Sequence, residues 1–285
     1  PQYSHVNKVY CLLAATVFCA LPLCSTEATA ENILKYDGTT NIHGNAKTWA
    51  AKNEYDGIDI RVTGVDGGYY TDTTEALVLN NQTLTVKGKG KFVSIINTAQ
   101  NKQIDNNGGI YAKGGSTVNF TDVDSIYIAA IAGKEGGNDS TVISAKDPGS
   151  DWKGYTNTVN ISGTAVQLIG SIDVMHSLGS VFFNRNARHT VNAALSGSDS
   201  YWYGSAIGES DERTAVNLSL ADGATWIFNA GKSTLNAGGI IRNLKLDKGV
   251  VLFADAEVWE TYRKTVIKGT DYVLANFRDH NERYS

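Results

Sequence analysis

Beyond its first thirty residues the chain has no cysteine: Cys11, Cys19 and Cys24 are the only three. No disulfide can hold the remainder, so its fold must rest on burial and backbone pairing, a route open to a long chain but hard for a small exported domain. Proline is equally scarce, at three residues of 285. With Val, Ile, Leu, Tyr and Trp recurring throughout, that scarcity excludes a disordered composition. Positive charge is not concentrated anywhere. Lys and Arg total 25 against 29 Asp and Glu, a net charge of −4, and the signs are interspersed. A chain without a basic stripe lacks the electrostatic footprint of a nucleic-acid binder. No segment carries the period of a long amphipathic helix.

The longest apolar run, Val9 to Leu23, is fifteen residues, short of the roughly 20 that a helix needs to cross a bilayer. Lys8 precedes it and Ala28-Thr29-Ala30 follows it. A charged start, an apolar middle and a small-x-small site have the layout of a secretory signal peptide. The expectation is cleavage after Ala30, with Ala28 and Ala30 as the recognised small residues. Residues 1–30 are then the signal, and 31–285 an exported domain. The rival is a lipoprotein signal ending at Cys24, which is disfavoured because Leu23 stands where a small residue is normally required. Removing Lys8 and Glu27 with the signal leaves the charge at −4. Avoiding cysteine suits a chain that stays unfolded across a second membrane. Because the sequence opens on Pro1 and closes at Ser285, it reads as a fragment of a longer protein.

The remaining apolar residues form runs of four to seven bounded by Gly, Asn or Asp. Ala76–Leu79, Thr83–Val86, Ser125–Ile128 and Val250–Phe253 are examples. In Thr214–Leu220 the residues Val216, Leu218 and Leu220 share one face, which is strand periodicity. Turn signals separate the runs at Asn80-Asn81, Asn106-Asn107-Gly108-Gly109, Gly114-Gly115, Gly136-Gly137, Asp222-Gly223, Gly238-Gly239 and Lys248-Gly249.

One short strand is written four times: Thr117-Val118-Asn119-Phe120, Thr158-Val159-Asn160-Ile161, Thr190-Val191-Asn192-Ala193 and Ala215-Val216-Asn217-Leu218. Its valines are 41, 32 and 25 residues apart. An irregular interval excludes a fixed-period array and fits a β-solenoid with coils of roughly 20–25 residues and loops of unequal length. A sandwich or barrel is the alternative, since it too has many short strands.

Residues 75 to 255 resemble the passenger of pertactin-like autotransporters. The resemblance is carried by Ala215-Val216-Asn217-Leu218-Ser219-Leu220-Ala221-Asp222-Gly223-Ala224-Thr225-Trp226, followed by Leu244-Lys245-Leu246-Asp247-Lys248-Gly249-Val250-Val251-Leu252-Phe253. It implies an all-β fold, a right-handed parallel β-helix, exported through the periplasm to the outer-membrane surface or beyond. It also implies a C-terminal outer-membrane barrel belonging to the same protein, whose alternating strands are not in this sequence. The family's role is adhesion, so the implied partner is a protein or glycan on a host or neighbouring cell.

Against that background the catalytic signatures in the sequence are incomplete. Gly231-Lys232-Ser233-Thr234 ends like a phosphate loop, but Trp226 stands where its first glycine belongs. Gly197-Ser198-Asp199-Ser200 has the wrong order for a serine-protease motif, and the later histidines His43, His176, His189 and His280 lack a triad context. No cofactor motif and no metal-ligand spacing is found. Parallel β-helices also include polysaccharide lyases and hydrolases, for which Asp56 with Asp59, or Asp122 with Asp124, are the candidate acids. The simpler reading makes these solvated strand and turn residues, and the chain is read as a non-enzyme. Triplets such as Asn119-Phe120-Thr121 match the glycosylation acceptor but follow from an Asn- and Thr-rich composition. Tyr201-Trp202-Tyr203 is the candidate ligand contact, because flat amphipathic rings suit sugars and proteins alike. Strand alternation offers the other reading, with Trp202 inward and both tyrosines outward. Trp226 is expected in the core, and Val258–Lys264 as a helix or irregular excursion. The expected action is adhesin-like binding, with a secreted polysaccharide enzyme second and a structural spacer third.

Overall fold

A computed structural model describes residues 32–40, 52–64, 74–99, 107–131, 141–147, 154–174, 186–208, 213–228 and 241–253. The regular elements there are nineteen strands, with no helix. β1 (Ile33–Thr40) and β2 (Gly57–Gly64) open the series. Then come β3 (Thr74–Asn80), β4 (Thr83–Lys87) and β5 (Phe92–Ala99), and β6 (Asn107–Lys113), β7 (Thr117–Val123) and β8 (Ser125–Ile131). β9 (Thr141–Ala145), β10 (Thr156–Gly163) and β11 (Val166–Ile169) follow. After them lie β12 (Ser171–Asp173), β13 (Arg188–Ser196) and β14 (Tyr201–Gly204). β15 (Ala206–Ile207), β16 (Thr214–Ala221), β17 (Thr225–Phe228), β18 (Asn243–Asp247) and β19 (Val250–Phe253) complete it.

These strands form three parallel sheets. Sheet A runs β1-β2-β5-β8-β11-β14-β17-β19, sheet B runs β4-β7-β10-β13-β16-β18, and sheet C runs β3-β6-β9-β12-β15. From β3 to β17 the chain visits C, B and A in turn, so each strand pairs with its counterpart one coil away. Parallel pairing needs a long connection, and the other two walls of the coil supply it. The fold is a parallel β-helix, as the run pattern predicts.

Alternation decides what lies inside. In β16 buried and half-buried residues alternate along the whole strand. The four repeated valines are in register: Val118 faces Val159, Val159 faces Val191, and Val191 faces Val216. All four are buried. In sheet C the matching interior column is Leu77, Ile110, Ile143, Ile172 and Ala206. The interior column of sheet A ends in Leu168, Trp202, Trp226 and Val251. One continuous apolar cluster runs through these columns. Burying a side chain of this size contributes about 1.5–3 kcal/mol, so each coil is held by its stacked neighbours rather than by local propensity.

Coils are longer than expected in the middle of the solenoid. Leu34 to Ile58 and Trp202 to Trp226 are each 24 residues, within the expectation, but Val118 to Val159 is 41. The additional residues fall in sequence between sheets A and C or between C and B. Loop length costs little entropy once the ends are fixed, so insertions there leave the register intact.

The connection from sheet B to sheet A stays short in every coil. Its left-handed residues are Gly88, Gly90, Gly197, Asp222, Gly223 and Lys248, and Asp122, near the end of β7, is left-handed as well. Asp122-Val123 also marks a bulge against Ser162 and Gly163. The Asp222-Gly223, Lys248-Gly249, Asn80-Asn81 and Gly114-Gly115 turn signals all fall at corners. Gly108-Gly109 does not: it lies within β6 rather than in a turn. A Cβ at Gly109 would collide with the Val142 carbonyl oxygen of the next coil. That glycine permits close approach of two coils instead of a reversal of direction. The signal peptide with Ala28 and Ala30, Gly136-Gly137, the 231–234 string, Gly238-Gly239, Val258–Lys264, His43, His176 and His280 lie outside the described residues.

Candidate functional site

Because coils stack in register, a residue type repeated at one strand position becomes a straight column. On the outward face of sheet B that column is asparagine. Asn119, Asn160, Asn192, Asn217 and Asn243 occupy equivalent positions on β7, β10, β13, β16 and β18. Their amides form a head-to-tail ladder. The Nδ2 of Asn160 donates to Asn119 Oδ1 at 2.8 Å, and that of Asn192 to Asn160 Oδ1 at 2.8 Å. Asn217 donates to Asn192 at 2.7 Å, and Asn243 to Asn217 at 2.7 Å. An amide offers two donors and two acceptor lone pairs. Each inner rung uses one of each on the ladder, which leaves one of each outside it. Strand spacing places successive rungs about 4.7–4.9 Å apart.

A groove of about 320 Å³ runs beside this ladder. Asn160, Asn192, Asn217 and Asn243 form one side, and Ser162, Ala194 and Ser219 the other, with Thr121 and Lys245 at its ends. The residues opposite the ladder are small, which opens the groove along its length. Its lining includes no carboxylate and one ammonium, that of Lys245. Lys245 is exposed.

The candidate aromatic triplet is divided by its own strand. Trp202 is fully buried and stacks on Trp226, so it is not a surface contact: alternation along β14 turns it inward. Tyr201 and Tyr203 are half-buried on the outer face. Burial, and secondarily the neighbouring Tyr127, raises the Tyr201 phenol above its ordinary pKa. Trp226 is in the core, as expected.

The candidate carboxylates do not form acid–base pairs. Asp56 accepts the Asn32 backbone N–H at 3.1 Å and lies 3.2 Å from Lys91 Nζ. Asp59 lies 3.7 Å from Arg61 Nε on its own strand. Asp122 is the left-handed bulge residue, which breaks the alternation that would align it with Asp124, and both are exposed at the corner from B to A.

A buried polar cluster occupies the corner between sheets C and B. Asn157 is fully buried, and its Oδ1 accepts the backbone N–H groups of Gly115 and Ser116, each at 2.9 Å. Its Nδ2 donates to Asp147 Oδ1 at 2.9 Å and faces His189 Nδ1 at 3.2 Å. His189 lies beside Arg188 at the start of β13 and is buried. Nearby, burial first and then Glu75, Asp147 and Asp173 push the Tyr111 phenol upward. Lys146 pairs with Asp173. Among the described residues no three His, Cys, Asp or Glu side chains converge as metal ligands.

Sequence reading missed the ladder and the groove. The signal for the ladder was present, since each repeated valine is followed by asparagine. Comparison with family models, with curated proteins and with solved structures finds no match to this chain.

Proposed function

We propose that this chain is an exported, surface-facing autotransporter-like passenger that acts by binding, in the manner of an adhesin. The observation that carries the reading is the amide ladder on the outer face of sheet B, with the open groove beside it. Five coils present asparagine amides in one line, and each of the three inner ones has one donor and one acceptor outside the ladder. Such a surface binds through repetition of modest contacts, each worth about 0.5–1.5 kcal/mol. The N-terminal segment supports export, and the strand motifs support the passenger reading. The proposed partner is a protein or glycan on a host or neighbouring cell, and the proposed location is the cell surface or the medium beyond it.

The test is direct. Fluorescently labelled chain is incubated with cultured epithelial cells and with bacterial cells, and bound signal is measured against unlabelled competitor. Saturable, competable binding to either is expected. Signal that does not saturate on any surface would remove the adhesin reading.

A further inference from the structure

We infer that the groove beside the asparagine ladder seats a linear glycan lying along the solenoid axis, with its hydroxyls on the amides and an acidic sugar at Lys245. The inference rests on the binding role proposed above and names the ligand class for that same face.

Three observations carry it. First, each inner rung retains one N–H and one oxygen lone pair, repeating about every 4.7–4.9 Å. A hydroxyl both donates and accepts, so a polymer presenting hydroxyls on every unit satisfies both halves of each rung. An extended peptide advances about 3.3 Å per residue and falls out of step with the ladder. It would also pair through its backbone, for which a sheet face, unlike an edge, has no free partners. Second, Ser162, Ala194 and Ser219 leave room beside the ladder for something wider than a side chain. Third, the lining holds no carboxylate and a single ammonium at the end nearest β18. That charge pattern admits one acidic group at Lys245. It does not offset a phosphate on every unit, as a nucleic acid would require.

The experiment uses the full chain and isothermal titration with two probes of equal length, a cello-oligosaccharide carrying a single terminal glucuronic acid and the unmodified neutral cello-oligosaccharide. Ala194→Phe fills the groove from an exposed position and leaves every rung in place. Gln167→Phe puts the same ring on sheet A as a control, and thermal unfolding checks that each variant is folded. The acidic oligosaccharide is expected to bind wild type and Gln167→Phe alike, and to lose at least about tenfold in affinity with Ala194→Phe. Lys245→Ala is expected to lower its affinity by about tenfold, the size of one charge-assisted hydrogen bond, while leaving the neutral probe unchanged. Equal binding by wild type and a folded Ala194→Phe would overturn the assignment. So would failure of both probes to bind a wild-type chain that still adheres to cells, and in that case the adhesin reading survives. If wild type binds neither probes nor cells, both readings fall.

Discussion

The indole rings of Trp202 and Trp226 lie on adjacent coils with centroids 5.0 Å apart and planes 5° from parallel. Each ring also donates its N–H one coil back, Trp202 to the Gly170 carbonyl at 2.9 Å and Trp226 to that of Gly204 at 3.0 Å. Phe228 meets Trp226 edge-on at 5.4 Å. The pair therefore links three coils through packing and hydrogen bonding together. Trp226→Ala is expected to cost about 3–5 kcal/mol. Trp226→Phe keeps most of the apolar volume but leaves the Gly204 carbonyl without its donor, a loss of about 1–3 kcal/mol. Urea unfolding of both variants measures the difference. Equal losses would mean that the N–H bond, and not the stack, carries the stabilisation.

The ladder can be tested rung by rung. Asn192→Ala severs the bonds to Asn160 and Asn217, whereas Asn243→Ala severs only the bond to Asn217. At about 0.5–1.5 kcal/mol per bond, the inner substitution should cost about twice the terminal one. Asn160 and Asn192 share a bond, so the double substitution should cost less than the sum of its parts. Full additivity in a double-mutant cycle would show that the ladder contributes nothing as a unit.

How far the sequence reveals this architecture depends on what each residue must encode. Val118, Val159, Val191 and Val216 disclose the register of sheet B because a stacked interior column requires the same apolar shape in each coil. Asn119 and its successors were equally visible, but an outward residue can be polar for no reason beyond solvation. Only the paired geometry turns repetition into a ladder. Gly108-Gly109 was misread because glycine permits both turns and close backbone approach, and only the neighbouring Val142 carbonyl distinguishes them. Trp202 was ambiguous because its face depends on register, where one residue's shift exchanges inside and outside. The groove was not legible at all. It exists only because Ser162, Ala194 and Ser219, distant in sequence, are aligned by coils of unequal length.

Asp56 fastens the first described coils. Its carboxylate takes the Asn32 N–H and faces Lys91, which begins the step into β5. The backbone bond from Asn32 first, and Lys91 second, hold its pKa below the ordinary aspartate value. A carboxyl depressed in the folded state contributes stability above its unfolded pKa of about 3.9, and loses it as pH falls through the folded value. The melting temperature of wild type should exceed that of Asp56→Asn at neutral pH, and the gap should close below about pH 4. A gap that persists undiminished in strong acid would assign the effect to something other than this charge.

Asn157 is the buried counterpart of that clip, and its amide cannot be inverted. Its Oδ1 is held by two backbone N–H groups, and its Nδ2 protons point to Asp147 and His189. His189 Nδ1 must therefore be an acceptor, with its ring proton on Nε2. Asn157→Asp keeps the shape, removes both donors and sets a second carboxylate against Asp147. An uncompensated charge buried in this way should cost about 3–5 kcal/mol at neutral pH. Two facing carboxylates raise the pKa of one of them. The folded variant then binds a proton more readily than the unfolded chain, so part of the loss should return as pH falls toward 5. Urea midpoints of wild type and Asn157→Asp at pH 7 and pH 5 measure this. If the two differ equally at both values, the like-charge contact is not what destabilises the variant.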